Sequence, residues 1–171
     1  KELETMYTSN DIRREAYYNA YLVMNGFIPE KHLLVGRKSE NVVQNPTKGM
    51  RVSEAYLNRA EAYARKYLLT KDEQMRMAAL SDLNILREAR FTEPYVKLEI
   101  MNGDELLKSC LDERRRELSF EDHRWFDLRR LGMPAIQHTF SITNGQIQTY
   151  RLEKGSSKYV LPIAREVKDR N

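Results

Sequence analysis

The stretch from Leu111 to Leu131, LDERRRELSFEDHRWFDLRRL, sets six acids and six arginines around the only tryptophan of the chain, Trp125. Its charges cancel, which is the wrong balance for an arm that grips phosphate. Charges threaded between Leu118, Phe120, Trp125, Phe126 and Leu128 call for helices that pair ions while burying an apolar face. Leu107, Leu111, Arg114 and Leu118 recur at the three- and four-residue spacing of one helix face, so Arg114 falls on an apolar stripe. An arginine there needs its fork satisfied. Glu117 lies three residues on, and Arg124 and Asp127 can return on the next helix. The preferred reading of Arg114, Glu117, Arg124 and Asp127 is a polar staple between two helices, set against a solvated charged face and a catalytic carboxylate pair.

The flanking patterns predict more helix. One helix is expected over 52–68, with Val52, Ala55, Tyr56, Ala60, Tyr63 and Tyr67 on its buried stripe. A partner is expected over 71–90, begun by a capping box of Thr70 and Glu73 and facing inward with Met75, Ala79, Leu83 and Leu86. Pro94 breaks the pattern, and Asn102 with Glu105 starts a third helix that continues to about Ser119. A fourth runs over 123–131 and stops at Gly132 and Pro134. After it the period becomes two. Asn144-Gly145 between two alternating runs predicts a hairpin with a two-residue turn, pairing Ile142 with Ile147 and Phe140 with Thr149. Residues 1–26 read as helical or partly so, with Tyr17, Tyr18 and Tyr21 as packing residues or, in the alternative, a stacking surface for a sugar face, and 27–50 as a loop with brief strand at most. The expected fold class is mainly α, with helical hairpins resembling tetratricopeptide packing and a small β-hairpin near the C-terminus. Residues 1–50 form a poorly defined helical or loop segment, 51–131 the helical hairpins, and 132–171 the β-hairpin and closing loop.

These residues carry a resemblance. Glu113-Arg114-Arg115, Glu117-Leu118, Phe120-Glu121 and His123-Arg124-Trp125-Phe126-Asp127-Leu128-Arg129-Arg130 are similar to the ER..EL.FE..R..DL.R signature of the SusD/RagB family of surface nutrient-binding lipoproteins. Arg51 to Ala62, RVSEAYLNRAEA, resembles the family's R..E.YL..AEA helix. Leu83-Asn84 with Leu86-Arg87 and Ala89-Arg90 resembles its LN.IR.RA helix, and Tyr159-Val160-Leu161-Pro162-Ile163 with Glu166 its closing Y.LPIP..E. Asp11-Ile12-Arg13-Arg14 is similar to its D.R segment. Three positions depart from the pattern: Asp122 and Phe91 stand where glycine is usual, and Ala164 where a second proline is usual. The resemblance implies a SusD-like helical fold and a chain that is the C-terminal portion of a longer protein. It also implies a non-catalytic subunit that captures oligosaccharide and delivers it to a SusC-like TonB-dependent transporter. Such a protein sits at the surface of the outer membrane, held by an N-terminal lipid anchor upstream of this chain.

Composition permits that reading. The 171 residues are 41% hydrophobic and 32% charged, enough for one core. The net charge of +4 is dispersed and permits an anionic partner without naming one, while the charge-balanced centre argues against nucleic acid. No apolar run approaches a membrane span, and the single cysteine, Cys110, reads as a small core residue and not as the lipidated anchor. His32, His123 and His138 have no metal-ligand spacing, and neither a phosphate loop nor a nucleophile motif is present, so no cofactor, metal or enzymatic activity is expected. The alternative function is a helical-repeat scaffold that binds protein or peptide. Ligand-contacting residues carry no spacing rule; Phe91 and Tyr95, in the loop after the second helix, are the candidates.

Overall fold

Residues that cap and pattern as helix do form helices. A computed structural model of the protein describes residues 3–25, 28–36, 49–141, 147–162 and 168. It divides into two compact units, Lys1–Glu121 and Asp122–Asn171.

The first unit is built on α2 (Val52–Thr70), α3 (Glu73–Glu88) and α4 (Gly103–Glu117), with α2 packed against both of the others. Asn102 caps α4 as expected, its Oδ1 accepting from the backbone N–H groups of Asp104 and Glu105 at 2.9 and 3.0 Å. The cap of α3 differs from the expected box. Thr70 closes α2 and returns its hydroxyl to Lys66 O, while Asp72 caps α3 by accepting from Gln74 N. The connection is only two residues long, and Lys71 reverses the chain at φ 57°. Gly103 lets α4 begin close beside the end of α2: a Cβ there would lie 2.7 Å from Leu68 Cδ2, and the Leu68 side chain would have to shift.

The core is Leu57, Ala60, Ala64 and Tyr67 of α2, Ala79, Leu80, Leu83 and Leu86 of α3, Leu106 and Cys110 of α4, and Leu118. Two stripes differ in phase from the expectation. On α2, Val52 and Ala55 are exposed, and Leu57, Glu61 and Ala64 lie inside with Ala60 and Tyr67. On α4 the buried face centres on Leu106, Cys110, Glu113 and Glu117, one residue round the helix from the Leu107, Leu111, Arg114 and Leu118 stripe. On α4 the cause is that the inner face contains the acids Glu113 and Glu117, which hydrophobic periodicity scores as outside; Arg114 and Leu118 of the expected stripe are buried beside them.

The N-terminal segment corrects the expectation of helix. After α1 (Arg13–Tyr17) the chain turns into β1 (Tyr18–Asn25), antiparallel to β2 (Ile28–Gly36), with Tyr18 opposite Gly36 and Asn25 opposite Ile28. The tyrosines, Leu22 and Val23 favour strand over helix, and β2 answers with a matching apolar run. Tyr17 and Tyr18 pack edge-on against Tyr7, with ring centroids 6.3 and 5.8 Å away. The side chains of Tyr21 and His32 lie outside the described residues.

The second unit holds α5 (His123–Arg130), β3 (Ile136–Ser141) and β4 (Ile147–Leu152). Asp122, where a glycine was expected, adopts φ 64°, a left-handed conformation that Asp tolerates better than most side chains. β3 pairs with β4 in a register one residue away from that expected: Phe140 faces Gln148 and Ser141 faces Ile147. That register leaves an odd number of residues between the strands, which a two-residue turn cannot supply. Asn144-Gly145 and Ile142 lie outside the described residues, as do Ile163, Ala164 and Glu166 of the closing motif. No helix among the described residues is long and apolar enough to cross a membrane.

The packing yields a direct comparison. Leu83→Ala removes a fully buried side chain and should cost about 2–5 kcal/mol. Ile85→Ala, on the exposed side of the same helix, should cost under about 1 kcal/mol. Urea denaturation of both variants checks it, and equal losses would show that α3 is turned otherwise.

Candidate functional site

Glu113 and Glu117 are four residues apart on α4, so their carboxylates leave the same side of the helix. Both are fully buried. Arg13 reaches both: its Nη1 lies 2.6 Å from Glu113 Oε1 and 3.0 Å from Glu117 Oε2. The rest of the Arg13 fork is filled by Asp11, which accepts from Nε at 2.9 Å and from Nη2 at 2.7 Å. Glu113 also receives Arg87 Nη1 at 2.8 Å and Arg116 Nη2 at 2.6 Å. Glu117 receives Arg90 Nη2 and Arg51 Nη2, both at 3.0 Å. Two carboxylates thus collect guanidinium groups from α1, the start of α2, the end of α3 and α4 itself.

Burial pushes the Glu113 carboxyl up, but Arg13, Arg116 and Arg87 outweigh it and hold the group down to about 2. Glu117 is likewise held low, burial being outweighed by the Arg90 hydrogen bonds and by Arg13. Burial disfavours the Arg13 charge, yet the bonds to Asp11 and the charge of Glu113 raise it further above its ordinary value. A general acid must carry a proton near the working pH. These carboxylates are fixed as anions among guanidinium groups, which is the chemistry of a joint and not of a proton donor.

Of the four residues expected to form the staple, Arg114 is buried on α4, donates from Nη1 to Asn58 Oδ1 at 2.8 Å and lies 3.6 Å from Glu54. Glu117 enters the joint just described. Arg124 and Asp127 lie on α5 in the second unit, where Asp127 accepts from Arg130 Nε at 2.8 Å. Sequence periodicity did not find Arg13, Arg51, Arg87, Arg90 or Glu113 as partners. The available signal was their recurrence as letters of four separate motifs, which meet at this joint.

Phe91 and Tyr95 come together in the loop before α4, ring centroids 5.7 Å apart. Arg87 lies over Phe91 with Cζ 4.3 Å from the ring centre, and Arg13 lies 5.9 Å from the same ring. Tyr95 donates to Asn84 Oδ1 at 2.7 Å, and Asn84 also holds both the N–H and the C=O of Leu98. Phe91 pairs with Asp11 through a β-bridge, so its extended backbone needs no glycine. Both rings are half-buried and engaged with guanidinium or amide groups of the frame.

The second unit presents its aromatics differently. Trp125 and Tyr159 stack at 5.0 Å with planes 23° apart, and Tyr159, fully buried, donates to Pro134 O. Phe126, Phe140 and Tyr150 are exposed at 61, 62 and 61%. The β3–β4 register places His138, Phe140, Gln148 and Tyr150 on one face of the hairpin. No group of three or more His, Cys, Asp or Glu among the described residues is placed to hold a metal ion. Burial raises the Cys110 thiol to about 12, with Glu61 adding to it, so it stays an unreactive part of the core.

Comparison with known proteins gives two findings. The family model described as the SusD family matches residues 3–171. A crystal structure of a SusD-like carbohydrate binding protein from Bacteroides vulgatus ATCC 8482 superposes with a TM-score of 0.62 at 19% identity, over 99% of this chain and 39% of that one. The fold is therefore shared, and the chain spans well under half the length of that protein. No curated protein matches the chain.

The joint has a pH signature. A carboxyl held at about 2 when folded and near 4.5 when unfolded contributes fully above pH 4.5 and loses that contribution as pH falls toward 2. Glu113 alone should account for about 3 kcal/mol across that window. Urea midpoints from pH 7 to 2.5 check it, and Glu113→Gln should flatten the fall; an unchanged slope in that variant would contradict the assignment.

Proposed function

The chain belongs to the SusD family, and from that premise we propose that it is the C-terminal portion of a non-catalytic glycan-binding protein. In this reading the whole protein is anchored by lipid at the outer-membrane surface, captures oligosaccharide there and passes it to a TonB-dependent transporter of the SusC-like kind. The observation that carries the reading is the exposure of Phe126, Phe140 and Tyr150 beside amide, imidazole and guanidinium groups. Sugars are held by apolar ring faces together with a few well-placed polar groups, and exposed aromatics cost solvation unless something covers them. The fixed ionisation of Glu113 and Glu117 supports the absence of hydrolysis, since glycosidases need one carboxyl that can donate a proton.

A glycan array probed with the purified protein, followed by a reducing-sugar assay on every glycan retained, tests both parts. The expected outcome is retention of one glycan class with no release of reducing ends. Release that disappears on mutating a single carboxylate would overturn the non-catalytic reading, and an array with no retained glycan would overturn the binding reading.

A further inference from the structure

The C-terminal end of α5 builds a pocket that neither the ion joint nor the hairpin face uses. Phe126, Arg129 and Arg130 fall at positions i, i+3 and i+4, one face of the helix. Gly132 and Met133 then adopt φ 90° and 50°, and Met133 N–H donates back to Leu128 O at 2.9 Å. This reversal places Met133 alongside Phe126. Val160 supplies a further wall, held there by its neighbour Tyr159 stacked on Trp125. The five residues line an open depression of about 360 Å³, within the size range of small-ligand pockets.

The charges of this pocket are uneven. Arg130 is engaged by Asp127 at 2.8 Å, whereas Arg129 has neither an ion pair nor a hydrogen bond among the described residues. Both arginines complement the negative end of the helix dipole, which accounts for cations at this position. It does not account for an exposed Phe126 and Val160, at 61 and 60%, forming an apolar floor beside the Arg129 guanidinium. That combination suits a ligand with one flat apolar face and one anionic edge. A guanidinium fork binds a carboxylate through two parallel charge-assisted hydrogen bonds, roughly twice as strong as those it makes to neutral hydroxyls.

Resting on the glycan-binding reading above, we infer that this pocket binds an acidic sugar, a uronate residue whose ring lies on Phe126, Met133 and Val160 and whose carboxylate meets Arg129. The pocket then sets the charge preference of the protein for its glycan.

The test is calorimetric titration of the protein with galacturonate, mannuronate and glucuronate-bearing oligosaccharides, each paired with its methyl ester, and with neutral glucose and xylose oligomers. At least one acid should bind tenfold or more tightly than its own ester. Arg129→Gln should abolish that difference, acid and ester then binding alike, and Phe126→Ala should weaken acid and ester alike by tenfold or more. Both positions are exposed, and circular dichroism of the variants confirms that they fold. The inference is overturned if no acid exceeds its ester, or if the preference survives Arg129→Gln. Binding of neutral oligomers alone removes this pocket but keeps the glycan-binding reading, whereas binding of no sugar at all removes both.

Discussion

Two carboxylates with no access to water, Glu113 and Glu117, organise the first unit. Each would be costly to bury alone, by several kcal/mol even after relaxation. Arg13 divides its fork between them and Asp11, Arg87 and Arg116 close on Glu113, and Arg51 and Arg90 close on Glu117. The attraction is strong because the site is dry, and it acts only if every segment arrives in the right place. An ion joint of this kind adds little net stability compared with an apolar core of equal size. Its effect is on specificity: α1, α2 and α3 can slip neither in register nor in phase against α4 without stranding a charge.

The joint also determines where function can lie. The residues most densely shared with the SusD/RagB signatures, among them Arg51, Arg87, Arg90, Glu113 and Glu117, are committed to one another. In the proposed reading, ligand recognition draws on groups that the frame leaves over. In the first unit the candidate aromatics Phe91 and Tyr95 are covered by Arg87 and tied to Asn84. In the second unit Phe126, Phe140 and Tyr150 stand in solvent.

Local signals in the sequence were read well where local chemistry decides the outcome. Asn102 caps α4, Gly132 ends α5 with positive φ, and Cys110 is a small core residue. Signals that depend on partners distant in the chain were not readable. Arg13 and Glu113 are a hundred residues apart, so no periodicity links them, and acids on the inner face turned the apparent stripe of α4 by one residue. Tyr17 to Val23 offers both helical and strand patterns, and it is the paired run from Ile28 that decides for strand. The register of β3 and β4 likewise follows from the whole ladder and not from Asn144-Gly145. The pocket on α5 escaped because it requires the backbone reversal at Met133 and the placement of Val160, neither of which leaves a spacing to find.

The claim that a buried arginine holds the first unit together is tested most directly by urea denaturation of Arg13→Met beside Arg14→Met. The two positions are adjacent, but Arg13 is fully inside while Arg14 makes one exposed contact with Glu4 at 3.4 Å. Arg13→Met should lose about 3–5 kcal/mol, from stranded carboxylates, and Arg14→Met at most about 1 kcal/mol. Equal and small losses at the two positions would contradict it.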